Sequence, residues 1–236
     1  VSAAVAKAAM DSGVARKHII DWAAYKNQLR QLLGQETKLT QKLYDTARNH
    51  PQRVVFAEAV HPTMLKAAVQ AKAEGICHPI LLCNDEKIEK LAKSFDLNLD
   101  GIEIVNLRHP REQERRERYA HILTQKRQRD GYTFQEANDK MFERNYFGMM
   151  MVEMGEADAF ITGTYSGGHH DTVQIAKDVI GIRPCYKHFA TMHIMTTKRG
   201  IYFLADTSVN HDNDTETLVD IARLADSSVK YFAHNP

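Results

Sequence analysis

The stretch DAFITGTYSGGHHDTVQIAKDVIG, residues 158–181, decides the fold. Residues 159–162 are a short apolar run of strand type, and residues 163–170 are small and polar. From Asp171 the apolar positions Val173, Ile175, Ala176, Val179 and Ile180 return at helical spacing. Strand, glycine-rich turn and helix in this order bring bare backbone N–H groups to a helix start, where an anion is favoured. Gly163, Gly167 and Gly168 admit positive φ and close approach of a ligand. Thr162, Thr164, Tyr165 and Ser166 add hydroxyls. The same pattern also serves as a βα connection whose glycines only make the bend, and the residues alone leave both readings open. It is not a Walker loop: no Gly-Lys-Ser/Thr follows, and Gly-x-Gly-x-x-Gly is absent.

Upstream, QRVVFAEA (52–59), PILLC (79–83) and residues 102–107 read as strands. Between them, a helix runs from Pro62 to Ala73, with Leu65, Ala68, Val69 and Ala71 inward, and another covers 86–94. This alternation predicts parallel βαβ units, hence an α/β fold with a mainly parallel sheet flanked by helices. Residues 111–129 are densely charged, with Tyr119, Ile122 and Leu123 as the few apolar positions, and read as a solvated helix face. Thr133 with Glu136 forms a capping box. Residues 146–154 form an apolar helix whose consecutive Met149, Met150 and Met151 suit core packing. Towards the N-terminus, residues 2–11 and a stripe of Trp22, Tyr25, Leu29, Leu32 and Leu33 read as helices, with a further helix over 42–48. Downstream, 189–196 and 201–206 pair as a hairpin, and a helix opens at Asp214.

Lysine plus arginine number 31 against 30 aspartate plus glutamate, so nothing in the charge points to nucleic acid or an anionic membrane. No apolar run reaches membrane-span length, and the first residues do not form a signal peptide. Three cysteines, Cys77, Cys83 and Cys185, with no Cys-x-x-Cys pair, point to a reducing, cytoplasmic compartment with buried or inert thiols. His169, His170 and Asp171 read as polar loop residues rather than metal ligands, since adjacent histidines diverge and no third ligand is evident. Asp171 or Thr172 is the expected helix cap. Asp206 and Asn210 either face a cleft or cap a turn, and Glu58, following a strand, is a candidate for a pocket wall.

Several segments together resemble the phosphate acetyltransferase family. VVFAEAVHPTMLKAA followed by GICHPILLC is similar to the opening of that domain. RQRDGYTFQEA, NYFGMMMVEMGEADAFITG and FLADTSVNHD resemble its later segments, in the same order. The beginning, AVAKAAMDSGVAR with DWAAY after it, resembles the C-terminal end of a bacterial malic enzyme. The two in succession resemble a hybrid NADP-dependent malic enzyme carrying a phosphate acetyltransferase-like domain, incomplete here at both ends. The resemblance implies the phosphotransacetylase fold of the isocitrate/isopropylmalate dehydrogenase type. It divides the chain into a helical connector (1–34), a first domain (35–183) and the start of a second, incomplete α/β lobe (184–236).

What the resemblance implies about function is a small-molecule site for acetyl-CoA or coenzyme A. Arg127 stands where the family has an arginine associated with coenzyme A phosphate binding, which requires it to share a side of the sheet with the glycine turn. The turn contributes Gly163, Thr164, Ser166, Gly167 and Gly168. A second family arginine is replaced here by Gln174, which carries no charge, and Lys177 stands one turn on. No segment matches the family's acyl-transfer residues, so no catalytic residue is assigned, and no metal ligand either. NADP and Mg or Mn belong to the malic enzyme body. Three functions are weighed: a regulatory acetyl-CoA-binding domain of a malic enzyme converting malate to pyruvate and CO2, an active phosphate acetyltransferase, and an oligomerisation module. A homo-oligomer is expected, with neither nucleic acid nor membrane as partner.

Overall fold

In the computed structural model, which describes residues 2–22, 25, 29, 38–163, 168–197 and 200–234, strands and helices alternate as the sequence pattern requires. Helices α1 (Ser2–Asp11) and α2 (Lys38–Asn49) come first. Then β1 (Gln52–Phe56), α3 (Pro62–Ala73), β2 (Cys77–Leu82), α4 (Asp85–Ser94) and β3 (Glu103–Val105) follow one another. Helices α5 (Gln113–Arg127), α6 (Phe134–Lys140) and α7 (Arg144–Glu153) lead to β4 (Ala159–Ile161) and α8 (His169–Val179). A hairpin of β5 (Met192–Thr197) and β6 (Gly200–Ala205) precedes α9 (Thr215–His234). The helix expected from the stripe of Trp22, Tyr25, Leu29, Leu32 and Leu33 lies mostly outside the described residues. No helix of the described residues is long and apolar enough to cross a membrane.

Among the described residues the main sheet has the order β3-β2-β1-β4, and every pair is parallel. Side chains alternate across it with period two. Val55, Ile80, Leu82 and Val105 enter one core with Tyr119, Phe147, Met150 and Val179, beneath α5, α7 and α8. Phe56, Leu81 and Cys83 enter the other with Leu65, Ala68 and Ile88, beneath α3 and α4. Both faces are covered, which is why the strands read as continuous apolar runs rather than alternating ones.

The structure differs from the sequence reading in several places. β1 ends at Phe56 rather than at residue 59, because the His61 N–H turns back to the Glu58 carbonyl (2.9 Å) and starts α3. The charged run 111–129 is not merely a solvated face. α5 buries Tyr119, Ala120 and Leu123 completely, and Arg116 goes in with them by donating to the Leu107 carbonyl (2.6 Å). α8 begins at His169, two residues before the expected start, with Gly168 as its cap and no capping side chain, so neither Asp171 nor Thr172 fills that role. Cys77 and Cys83 are buried, but Cys185 is exposed.

The segment leading into the hairpin is tied to α9 by the Asp220 carboxylate, which accepts from the backbone N–H groups of Lys187 (3.1 Å) and His188 (3.2 Å). Phe203 of β6 stacks near Phe232 of α9, centroids 6.0 Å apart. Asp206 and Asn210 make a turn: the Asp206 carboxylate accepts from the Asn210 N–H (2.9 Å) and the Thr191 hydroxyl (2.9 Å). The pair thus makes a turn, one of its two sequence alternatives.

Two contacts set how α5 and α7 sit. A methyl group at Gly148 would lie 2.7 Å from Phe160 Cδ2 and 3.0 Å from Leu82 Cδ1, so glycine lets α7 lie directly on the sheet. Glu156, in the turn after α7, accepts from Arg115 Nε (2.7 Å) and Arg118 Nη2 (2.7 Å) on α5. Burial pushes the Glu156 carboxyl up, but hydrogen bonds from Tyr119 and Arg115 and the charges of Arg115 and Arg118 outweigh it and hold it below the ordinary glutamate value.

Gly148→Ala should lower stability by about 1–3 kcal/mol in urea unfolding, the overpacking range, although alanine favours helix at an open position. Glu156 contributes stability fully above the ordinary carboxylate pKa, and that contribution is lost as pH falls through the lowered folded value. Unfolding midpoints measured from neutral pH down to about pH 3 should therefore fall in the acid limb. Glu156→Gln should be less stable at neutral pH and should fall less in that limb.

Candidate functional site at the carboxyl edge of the sheet

The strand order places the reversal of winding between β1 and β4. In open parallel sheets, ligands bind outside the carboxyl ends of the strands at such a switch point. Glu58, 3% exposed, follows β1 there. Thr162 follows β4, and its hydroxyl donates to Asn145 Oδ1 (3.1 Å) in the first turn of α7. Gly163 has φ +112°, a conformation that L side chains rarely adopt. Gly168 caps α8 with no side-chain hydrogen bond. These two glycines lie between β4 and α8 beside the switch point, while Thr164, Tyr165, Ser166 and Gly167 lie outside the described residues.

The remaining residues assigned from the sequence lie further along α8. Gln174 and Lys177 are exposed on that helix. Arg127, at the end of α5, is engaged with its last turn. Nε donates to the Asp178 carbonyl (2.6 Å) and Nη2 to the Lys177 carbonyl. Lys126 adds a bond to the Val179 carbonyl (2.7 Å), and Tyr132 donates to the Asp178 carboxylate (2.8 Å). Cations at a helix C-terminus satisfy its orphan carbonyls and complement its dipole. At 1.5 Å per residue, Asp178 is about 15 Å along the axis from Gly168. The structure thus brings Arg127 to Lys177 but to the opposite end of α8 from the glycine turn.

The same sheet edge holds a cleft of 780 Å³ beyond β2 and β3. Cys83 and Asn84 follow β2, Asn106 and Arg108 follow β3, and Arg144 and Asn145 open α7. Asn84 caps α4 by accepting from the Lys87 N–H (3.1 Å). Asp85 pairs with Arg111 (3.2 Å) and accepts a hydrogen bond from Asn106 Nδ2 (3.1 Å). Burial, then the Asp85 charge, pushes the Cys83 thiol up to about 12 against the opposing charge of Arg144. Cys83 is therefore a protonated thiol and no nucleophile at neutral pH. Among the described residues no group of three or more His, Cys, Asp or Glu is placed to hold a metal ion. The sequence reading missed Lys87, Arg108 and Arg144, which sit in three unrelated segments. Their one shared signal is position, just past a strand end or at a helix start.

This mixed α/β architecture, a parallel sheet flanked by helices, is that of the phosphotransacetylases. The phosphotransacetylase EutD from Staphylococcus aureus superposes with a TM-score of 0.71 at 25% identity, covering 83% of this chain and 59% of that one. The chain belongs to the phosphate acetyl/butaryl transferase family, which it matches over residues 38–236. It is also 33% identical to the NADP-dependent malic enzyme of Salmonella typhimurium over 241 residues, covering 100% of this chain and 31% of that protein. The phosphate acetyltransferase of a Synechocystis strain is 32% identical over 196 residues, covering 82% of this chain and 28% of that protein. The chain therefore spans less than a third of the length of these two relatives.

Because Arg127 holds the end of α8, Arg127→Ala should lower stability by about 1.5–3 kcal/mol, the range for hydrogen bonds to a charged group. Hydrogen exchange should show the loss first at residues 176–181.

Proposed function

We propose that this chain is a regulatory, acetyl-CoA-binding domain of an NADP-dependent malic enzyme, the enzyme that oxidatively decarboxylates malate to pyruvate and CO2. One observation carries the reading. The family match begins at residue 38, whereas the Salmonella malic enzyme aligns over the whole chain, residues 1–37 included. The switch-point turn flanked by Gly163 and Gly168 is the proposed ligand site, with backbone N–H groups at the start of α8 facing the anionic ligand. Gln174 supports regulation over catalysis, since an uncharged side chain binds a reacting phosphate less strongly than a guanidinium. NADP and a divalent metal would act in the dehydrogenase part of such an enzyme. A second reading, an active phosphate acetyltransferase moving acetyl between coenzyme A and phosphate, is favoured by the likeness to the Synechocystis enzyme.

The full-length protein should change its rate of malate oxidation when acetyl-CoA is added, and should release no coenzyme A above background from acetyl-CoA and phosphate. Clear turnover in the second assay would sink the regulatory-only reading. An unchanged malate rate would sink the regulation itself.

A further inference from the structure

Three cations line the cleft beyond β2 and β3. Lys87, Arg108 and Arg144 all line it, and none makes a side-chain hydrogen bond or ion pair among the described residues. Their neighbours differ: Arg111, Arg115, Arg116 and Arg118 are each engaged with a carboxylate or a carbonyl. Arg144 is half-buried, so its charge is partly desolvated without compensation. Asn145, 8% exposed, also lines the cleft; its Oδ1 accepts from Thr162, and its Nδ2 has no acceptor among the described residues. The carboxylate in the lining is Glu143, one against three cations. Cations without a protein partner around a cavity, one of them half-buried, favour an anion, and guanidinium groups match the forked oxygens of a phosphate.

The size argues against a bare ion. A cleft of 780 Å³ lies in the range of small-molecule pockets and far exceeds one phosphate group. Leu107, Pro110, Phe142 and Val60 supply apolar walls beside the cations. We propose that this cleft is a ligand site separate from the switch-point turn, taking a phosphorylated organic molecule of nucleotide size. Lys87, Arg108 and Arg144 hold its phosphate, and the walls of Leu107, Pro110 and Phe142 take its apolar body. The site does not depend on acetyl-CoA binding at the glycine turn, because its residues come from different loops.

Titration calorimetry with ADP and with inorganic phosphate as probes tests it. ADP should bind one-to-one and at least tenfold more tightly than inorganic phosphate. The double variant Lys87→Gln, Arg108→Gln should weaken ADP at least tenfold, as should Arg144→Gln. Lys87 and Arg108 are exposed, so their variant keeps the test valid should Arg144→Gln fail to fold. No saturable ADP binding, equal affinity for ADP and phosphate, or ADP binding untouched by the double variant would each overturn the proposal. Acetyl-CoA is titrated in parallel. ADP binding that the variants abolish, without acetyl-CoA binding, would uphold this site and remove the acetyl-CoA reading. Acetyl-CoA binding without ADP binding would do the reverse.

Discussion

The absence of one methyl group, at Gly148, governs how close α7 comes to the sheet. The helix lies on Phe160 of β4 and Leu82 of β2, and its flanking Phe147, Met149, Met150 and Met151 fill one core. The position of α7 in turn sets contacts at both of its own ends. Its first turn presents Arg144 to the cleft and Asn145 to Thr162. Its far end feeds the turn where Glu156 receives Arg115 and Arg118 from α5. A helix held further from the sheet would lose the Thr162 contact and reshape the cleft wall together. Close packing transmits such a shift because the interior has no slack to absorb it.

The charges divide by what they meet. On α5, most cations are engaged within the fold: Arg115 and Arg118 on Glu156, Arg116 on carbonyls, and Lys126 and Arg127 on the last turn of α8. These contacts make the charge-rich helix a clamp between α7 and α8. At the carboxyl edge of the sheet the pattern reverses, with cations facing open volume. A fold generally pairs a charge that it partly buries, so unpaired ones beside a cavity are where a ligand would complete the pairing.

The alternation of strands and helices, the capping box at Thr133 and the hairpin were legible because each rests on contacts within a few residues. The methionine run of α7 was legible as core because little else buries three consecutive apolar side chains. α5 was misread for a related reason: Tyr119, Ala120 and Leu123 make too narrow a stripe among charges for periodicity to detect, yet Phe147, 5.2 Å from Tyr119, gives that stripe a partner. The glycine turn was legible as a βα connection, and Gly163 and Gly168 lie between β4 and α8 accordingly.

The sequence by itself determined the order of elements, the α/β class and the two-sided burial of the strands, because hydrophobic period and turn residues act locally. Tertiary structure alone decided which strand pairs with which, and so where the winding reverses. It also decided that Arg127 meets the end of α8 rather than its beginning, since a guanidinium is indifferent in sequence to which helix end it reaches. The gathering of Lys87, Arg108 and Arg144 was likewise invisible in the chain. Three residues from three segments share one cleft only because parallel strands direct all their carboxyl ends to the same edge.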